Sequence, residues 1–146
     1  LMAAVLRTTT FAARLALGAL FLVAGALKVG HFDDLASAIA GFRVLPQEAI
    51  APLALLLPFF EIGLGLYLVT GLFTRAAAIV AAVQLTLYAG AIASAAVRHL
   101  PANCGCFGPA ERSPASWPHA AADLGIALVC ALLAGELQAH FHSMNE

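Results

Sequence analysis

Four apolar stretches, each about as long as a lipid bilayer is thick, dominate this chain. They cover residues 11–29, 51–72, 74–97 and 119–138. A membrane-spanning α-helix needs about 20 mostly apolar residues. None of the four stretches alternates polar and apolar residues at the period of two that a membrane β-barrel requires, so helices must satisfy the backbone in lipid. The sequence therefore predicts an all-α, polytopic membrane protein built as a bundle of four transmembrane helices.

Composition supports the membrane assignment and limits the functions to consider. The chain is 62% hydrophobic and 10% charged, whereas soluble domains carry about 25% charged residues. Its 146 residues allow one membrane domain over 1–146. The first stretch follows two arginines, as a signal peptide would, but its long apolar run ends at Lys28 rather than at a small-residue cleavage site, so we expect a retained span. We expect the protein to be surrounded by membrane lipid. The sequence contains no basic stripe and no nucleotide-binding motif, so no nucleic-acid partner is expected.

The connections between the spans differ in length. The segment GLFTR alone joins the second and third spans, whereas longer segments follow the first and the third span on the opposite side. In the earlier of these, Leu35, Ile39 and Phe42 recur at helical spacing among charged residues. This pattern predicts a short amphipathic helix on the membrane surface between the first and second spans, placed as a lid over the other long loop.

That other loop contains the sequence PANCGCFGP, in which Gly105 separates Cys104 from Cys106 and Pro101 and Pro109 stiffen the ends. A disulfide over one intervening residue requires a tightly folded backbone, which glycine permits. Strained or exposed disulfides are the more reducible ones, and a bridge this short would stabilise very little as a structural crosslink. The motif predicts an exposed, redox-active cysteine pair, with His99 as the nearby group that lowers a thiol pKa.

Two other interpretations of the loop remain open. His99 and His119 bracket it and could complete a Cu(I) or Zn(II) site with the two thiolates. A single CxC without a second pair of ligands is weak support for that, so no metal is expected. The second alternative is a non-catalytic subunit that anchors or assembles a larger membrane redox complex through the loop. Cys130, among leucines and alanines in the fourth span, is predicted to be a small core residue.

Ionisable residues within the spans are candidates for function, because charges in lipid are costly. Lys28, Glu61 and Asp123 are predicted to surround a polar pocket beneath the cysteine loop. Such a pocket could bind a quinone head group and carry the protons of thiol oxidation. The plainer alternative for Lys28 and Glu61 is an ion pair that joins two helices. Gln84 and Tyr88 are predicted to form hydrogen bonds between helices.

The loop motif CGCFG before the last of four membrane helices resembles the methylamine utilisation protein E (MauE) family, part of a broader DoxX-like group. Residues of the first two spans agree with that group: Gly18, Phe21, Ala24, Gly25, Lys28, His31, Phe32, Pro58, Glu61, Gly65, Leu68 and Gly71. The resemblance implies handling of disulfides outside the cytoplasm, with a thioredoxin-like partner, during maturation of a multi-disulfide protein. The resemblance to DoxX-like subunits also implies that the redox reaction is coupled to a quinone. Asp123 departs from the resemblance, since a basic residue is expected there.

Charge alone does not orient the protein, because lysine and arginine are shared almost evenly between the two sides. A redox-active cysteine pair functions most naturally outside the reducing cytosol. We therefore expect a bacterial inner-membrane protein with both termini cytoplasmic and the cysteine loop extracytoplasmic.

Overall fold

The computed structural model describes residues 1–108 and 113–143, so Pro109 lies outside the described residues. The described part contains five helices: α1 (Met2–Lys28), α2 (Phe32–Phe42), α3 (Gln47–Thr70), α4 (Thr74–Val97) and α5 (Trp117–Ser143). Within it, α1, α3, α4 and the Trp117–Ala139 part of α5 are long and apolar enough to cross a membrane. The predicted all-α fold and its four spans are confirmed.

The outer surface of the spans is apolar. Leu56, Leu87 and Leu132 are each more than 60% exposed, at 63%, 68% and 61%. A soluble protein rarely exposes a continuous apolar belt of this kind, whereas lipid-facing helices require it. The chain is a multi-pass membrane protein.

The first helix begins earlier than the sequence predicts, at Met2 rather than at residue 11. Thr8, Thr9 and Thr10 lie in the added turns, and their hydroxyls donate to the carbonyl oxygens of Ala4, Val5 and Leu6 respectively. Polar side chains bonded to their own helix in this way are compatible with its continuation. Hydropathy alone therefore places the start of this helix too late in the sequence.

Helix α1 packs along α3, and α4 packs along α5. The first pair approaches closely at two glycines: a Cβ on Gly18 would lie 3.0 Å from the carbonyl oxygen of Gly65, and a Cβ on Gly65 would lie 2.8 Å from that of Gly18. Gly63 and Gly90 make no such contact, because a Cβ at either would meet no atom within 4 Å. Those two glycines face away from the other helices.

The two helix pairs share one apolar core toward the α3–α4 turn. Its buried members come from all four spans and include Leu17, Phe21, Leu64, Leu68, Ala78, Ala81, Ala127, Cys130 and Leu133. Cys130 is fully buried there, which confirms its predicted role as a small core residue. We call this end of the bundle, marked by residues 71–73, the turn end.

At the other end, which we call the cysteine end, α2 lies over the loop between α4 and α5. Phe42 packs in a buried cluster with Cys104 and with residues of α4 and α5. The Arg98 guanidinium donates to the carbonyl oxygen of Phe42 and, at 3.3 Å, to that of Arg43. These bonds satisfy carbonyl groups that the end of a helix leaves unpaired. The predicted amphipathic helix is confirmed, and it covers the cysteine loop.

Candidate functional site

The cysteine loop is held in shape by its own backbone hydrogen bonds. The amide of Cys104 donates to the carbonyl oxygen of Ser113 at 3.1 Å, and the amide of Ala115 donates to that of Ala102 at 2.8 Å. These bonds pair the two arms of the loop in antiparallel fashion. The cysteines therefore occupy a defined position over the end of the bundle.

Two glycines let the loop fold down onto the bundle. Gly105 and Gly108 have positive φ angles of 65° and 72°, a conformation that other residues adopt only at a cost. A Cβ on Gly108 would lie 2.8 Å from the carbonyl oxygen of Leu27, and a Cβ on Gly105 would lie 3.1 Å from the Cβ of Ala38. The loop thus packs between the end of α1 and the underside of α2.

This packing corrects the expectation of an exposed cysteine pair. Cys104 is only 7% exposed, and Cys106 is partly buried. The glycines allow the backbone to approach α1 and α2 so closely that Cys104 enters the apolar cluster around Phe42. Both cysteines are thiols in this structure, and their side chains are hydrogen-bonded to each other. Cys106 is the more accessible of the two.

The environment of Cys106 raises its pKa. The hydrogen bond with Cys104 contributes most, followed by burial and by electrostatic interactions with Cys104 and with the Asp123 carboxylate, while the positive charge of Lys28 acts in the opposite direction. The expectation that His99 lowers this pKa is therefore wrong. His99 has an exposed side chain, and the cation that acts on Cys106 is Lys28. These surroundings favour the protonated thiol of Cys106 over its thiolate.

Beneath the loop, Lys28 and Glu61 form a buried ion pair. The Lys28 ammonium contacts both carboxylate oxygens, at 2.8 and 2.7 Å, and each residue is 1% exposed. The plainer alternative for these two residues, an ion pair that joins two helices, is confirmed. An ion pair this deep holds its members in place, because either charge alone would be costly in a low dielectric.

Two residues of α4 complete the surroundings of Glu61. The Tyr88 hydroxyl donates to Glu61 Oε1 at 2.7 Å. Gln84 Nε2 donates to the same oxygen at 3.1 Å and to the Tyr88 hydroxyl oxygen at 2.8 Å. The predicted hydrogen bonds between helices are confirmed. We call Lys28, Glu61, Gln84 and Tyr88 the Glu61 cluster.

Gln84 has unused bonding capacity. A carboxylate only accepts hydrogen bonds, so the amide must turn Nε2 toward Glu61, and this orientation directs Oε1 elsewhere. Gln84 is 6% exposed, and its Oε1 has no hydrogen-bond partner in the part of the chain that the structure describes. A buried acceptor of this kind is costly unless a donor from water or a ligand reaches it. Sequence reasoning did not include Gln84 or Tyr88 in the site, although their spacing of four on a membrane helix could have indicated it.

Asp123 lies on α5 and, like Lys28, interacts electrostatically with Cys106. Its side chain is partly buried. The structure thus brings Lys28, Asp123 and Cys106 together, while Glu61 is connected to them through Lys28. The polar residues singled out from the sequence converge beneath the cysteine loop.

A cavity of about 350 Å³ is lined by residues of α2 and of the cysteine loop. Its lining includes Lys28 with polar residues of α2 and the loop, among them His31, Asp34, Ser37 and Asn103. Ligand pockets commonly start at about 300 Å³. The cavity therefore has room for a small ring or a peptide side chain, and it reaches the Glu61 cluster from the α2 side.

The histidines near the loop are not arranged around the thiols as a metal site would require. The His119 ring lies 3.2 Å from Ser113 Oγ at Nε2 and 2.8 Å from Ser116 Oγ at Nδ1. Across residues 1–108 and 113–143, no three or more His, Cys, Asp or Glu side chains form a group that could hold a metal ion.

Comparison with known proteins agrees with the resemblance of the loop and spans. The profile of the family described as methylamine utilisation protein MauE matches residues 6–135. Methylamine utilization protein MauE of Paracoccus denitrificans is 34% identical over 108 residues, which is 73% of this chain and 58% of that protein. Its namesake in Methylorubrum extorquens is 32% identical over 102 residues, covering 69% and 55% respectively.

The chain spans little more than half the length of these two relatives. No solved structure matches it. The family match extends over all four spans, α2 and the cysteine loop. The chain belongs to the methylamine utilisation protein MauE family.

Proposed function

We propose that this protein is a membrane thiol–disulfide redox protein whose reactive pair is Cys104 and Cys106. The names of its relatives connect it with methylamine utilisation, where it would support disulfide formation in another protein. The observation that carries the proposal is the position of Cys106. Its thiol is hydrogen-bonded to Cys104 and interacts with one anionic and one cationic side chain, and the neighbouring Gly105 lines the cavity between the loop and α2.

The proposed reaction begins with the pair as a disulfide. A thiolate of the partner attacks Cys106 Sγ, the Cys104–Cys106 bond breaks, and a bond between the partner and Cys106 forms. Cys104 leaves as a thiolate and takes up a proton. A second partner thiolate then attacks the partner sulfur of the mixed disulfide, and Cys106 leaves and is protonated. The partner has lost two electrons, and the pair has become two thiols.

Lys28 and Asp123 have complementary roles in this scheme. The Lys28 ammonium stabilises the Cys106 thiolate as it leaves, and the Asp123 carboxylate exchanges a proton with it. Glu61 fixes the Lys28 ammonium in position through the buried ion pair. Tyr88 and Gln84 hold the Glu61 carboxylate in turn.

Return to the disulfide requires an acceptor for two electrons. A membrane quinone, when bound, would supply a two-electron, two-proton acceptor. Two of the three Lys28 donors are used by Glu61, and Lys28 borders the cavity of about 350 Å³, so its ammonium would donate to a quinone carbonyl oxygen there. The acceptors Gln84 Oε1 and the Asp123 carboxylate would receive hydrogen bonds only from the hydroxyl groups of the reduced quinol.

The proposed partner is a thioredoxin-like or multi-disulfide protein that approaches the cysteine end. This end would face the extracytoplasmic side of a bacterial inner membrane, with both termini in the cytoplasm, since the pair needs an environment that permits disulfides. His31 and Asp34, with Nδ1 and Oδ2 3.7 Å apart, mark the rim of the cavity where the partner would dock.

One observation favours a second candidate, a non-catalytic subunit that anchors or assembles a larger membrane redox complex. Cys104 is buried under α2, and the pKa of Cys106 is raised, both of which lower the reactivity of the reduced pair. In that case the loop and α2 would serve as a docking surface, and loss of the thiols would leave assembly intact.

Adduct formation with a peptide separates the two candidates. The variants Cys104→Ser and Cys106→Ser, each combined with Cys130→Ala, would be incubated with a single-cysteine peptide activated as an aromatic disulfide. We expect the variant that keeps Cys106 to form the peptide adduct readily and the variant that keeps Cys104 to form it slowly, because Cys104 is buried. Mass spectrometry measures both. Failure of both cysteines to react, in protein that remains folded, would support the non-catalytic subunit.

A further inference from the structure

A second and larger cavity lies at the turn end, remote from the cysteines. It is a cleft of about 1320 Å³ between the first turns of α1 and the last turns of α5. Most of its lining is apolar, with Leu6 and Phe11 on the α1 side and Leu133 and Leu137 on the α5 side. The proposed redox function does not use it.

Two arginines of α1 line this cleft, Arg7 and Arg14. Arg14 follows Arg7 by seven positions, which is about two helical turns or 10 Å along one face. A Cβ on Gly71 would lie 2.9 Å from an Arg14 Nη atom. The Arg14 guanidinium is therefore level with the α3–α4 turn.

Arg14 also has an unused donor. Its Nε is buried and has no hydrogen-bond partner among residues 1–108 and 113–143, and its guanidinium lies 5.0 Å from the centre of the Phe11 ring. Glu136 lines the opposite wall, but the salt bridges within the described residues are Lys28–Glu61 and His31–Asp34. The cleft thus combines apolar walls with two cations that no carboxylate neutralises in the described part.

We propose that this cleft binds an anionic phospholipid. The acyl chains would lie against the leucines of α1 and α5, and the phosphate would sit between Arg7 and Arg14. Guanidinium groups bind phosphate oxygens in bidentate fashion, and basic pockets between spans on one membrane side are the usual sites for anionic headgroups. A free phosphate ion would leave the apolar walls uncovered, which is why the lipid is the occupant.

The test uses purified protein in nanodiscs of phosphatidylcholine alone or with phosphatidylglycerol added, with thermal unfolding and native mass spectrometry as readouts. We expect phosphatidylglycerol to raise the unfolding temperature and to remain bound to the wild-type chain. Arg14→Gln should weaken that binding by about tenfold, the value of one charge-assisted hydrogen bond. Arg14→Lys should retain part of the phosphatidylglycerol binding, since the positive charge remains but the bidentate hydrogen-bonding geometry of the guanidinium is lost.

Arg75→Gln is the matched control, because Arg75 lies near the same end but donates to Gln138 Oε1 at 2.8 Å and does not line the cleft. It should retain phosphatidylglycerol as the wild type does. Should Arg14→Gln fail to fold, Arg7→Gln provides the same comparison at an exposed position. Equal retention by wild type and both cleft variants would overturn the proposal. So would an equal stabilisation by inorganic phosphate alone, or a dimer that closes the cleft in place of lipid.

Discussion

Replacing Glu61 with alanine is expected to lower the free energy of unfolding by about 3–5 kcal/mol, the usual cost of removing one partner of a buried ion pair. Lys28 and Glu61 are each 1% exposed, so the remaining ammonium would be left without a counter-charge in the membrane interior. The Tyr88 hydroxyl would lose its acceptor too. Reversible unfolding in mixed detergent micelles, followed by circular dichroism, measures the change.

The double variant Lys28→Met/Glu61→Leu is the decisive control for this prediction. It removes both charges, and replacement of a buried pair by apolar residues of similar size is often neutral. We expect it to recover most of the stability that Glu61→Ala loses. Glu136→Ala changes an exposed carboxylate and should have little effect. A Glu61→Ala variant as stable as the wild type would contradict the ion pair as a source of stability.

Cys104→Ala is expected to make Cys106 more reactive in the reduced protein. The hydrogen bond with Cys104 is the largest cause of the raised Cys106 pKa, so its removal lowers that pKa and increases the thiolate fraction at a given pH. Each pKa unit recovered gives about tenfold more thiolate at a pH below the pKa. Alkylation rates of Cys106 between neutral and alkaline pH, in a Cys130→Ala background, give the profile directly.

Asp123→Asn is expected to lower the pKa of Cys106 as well, by a smaller amount, since it removes one negative charge that raises this pKa. Both variants should move the alkylation profile to lower pH, with the larger movement for Cys104→Ala. A profile that stays in place or moves to higher pH would refute the assigned causes. His99→Ala should leave the profile unchanged, because Lys28 is the cation that acts on Cys106.

The spans, α2 and the position of the cysteine loop were predictable from the sequence. Long apolar runs define membrane helices because a bilayer admits few other structures. The spacing of Leu35, Ile39 and Phe42 defines α2 because one helix face must be buried. Even the ion pair of Lys28 with Glu61 could be anticipated, since each charge within a span needs a partner.

Contacts between elements distant in the chain were not predictable in this way. The burial of Cys104 depends on how closely Gly105 and Gly108 approach Ala38 and Leu27, a tertiary contact that no local pattern encodes. The role of Gln84 depends on α4 packing against α3 with a particular rotation. For the same reason, the sequence does not distinguish Gly65, which contacts α1, from Gly63, which faces open space.

The most direct test of the central claim is the redox state of Cys104 and Cys106 in intact cells. A membrane-impermeant thiol reagent would be applied before and after mild reduction, and the labelled residues would be identified by mass spectrometry. We predict that Cys106 is labelled only after reduction, as expected for a disulfide on the extracytoplasmic side. Labelling of Cys106 without reduction would contradict a redox-active pair at this site. So would the absence of Cys106 labelling in cells that have been permeabilised and reduced.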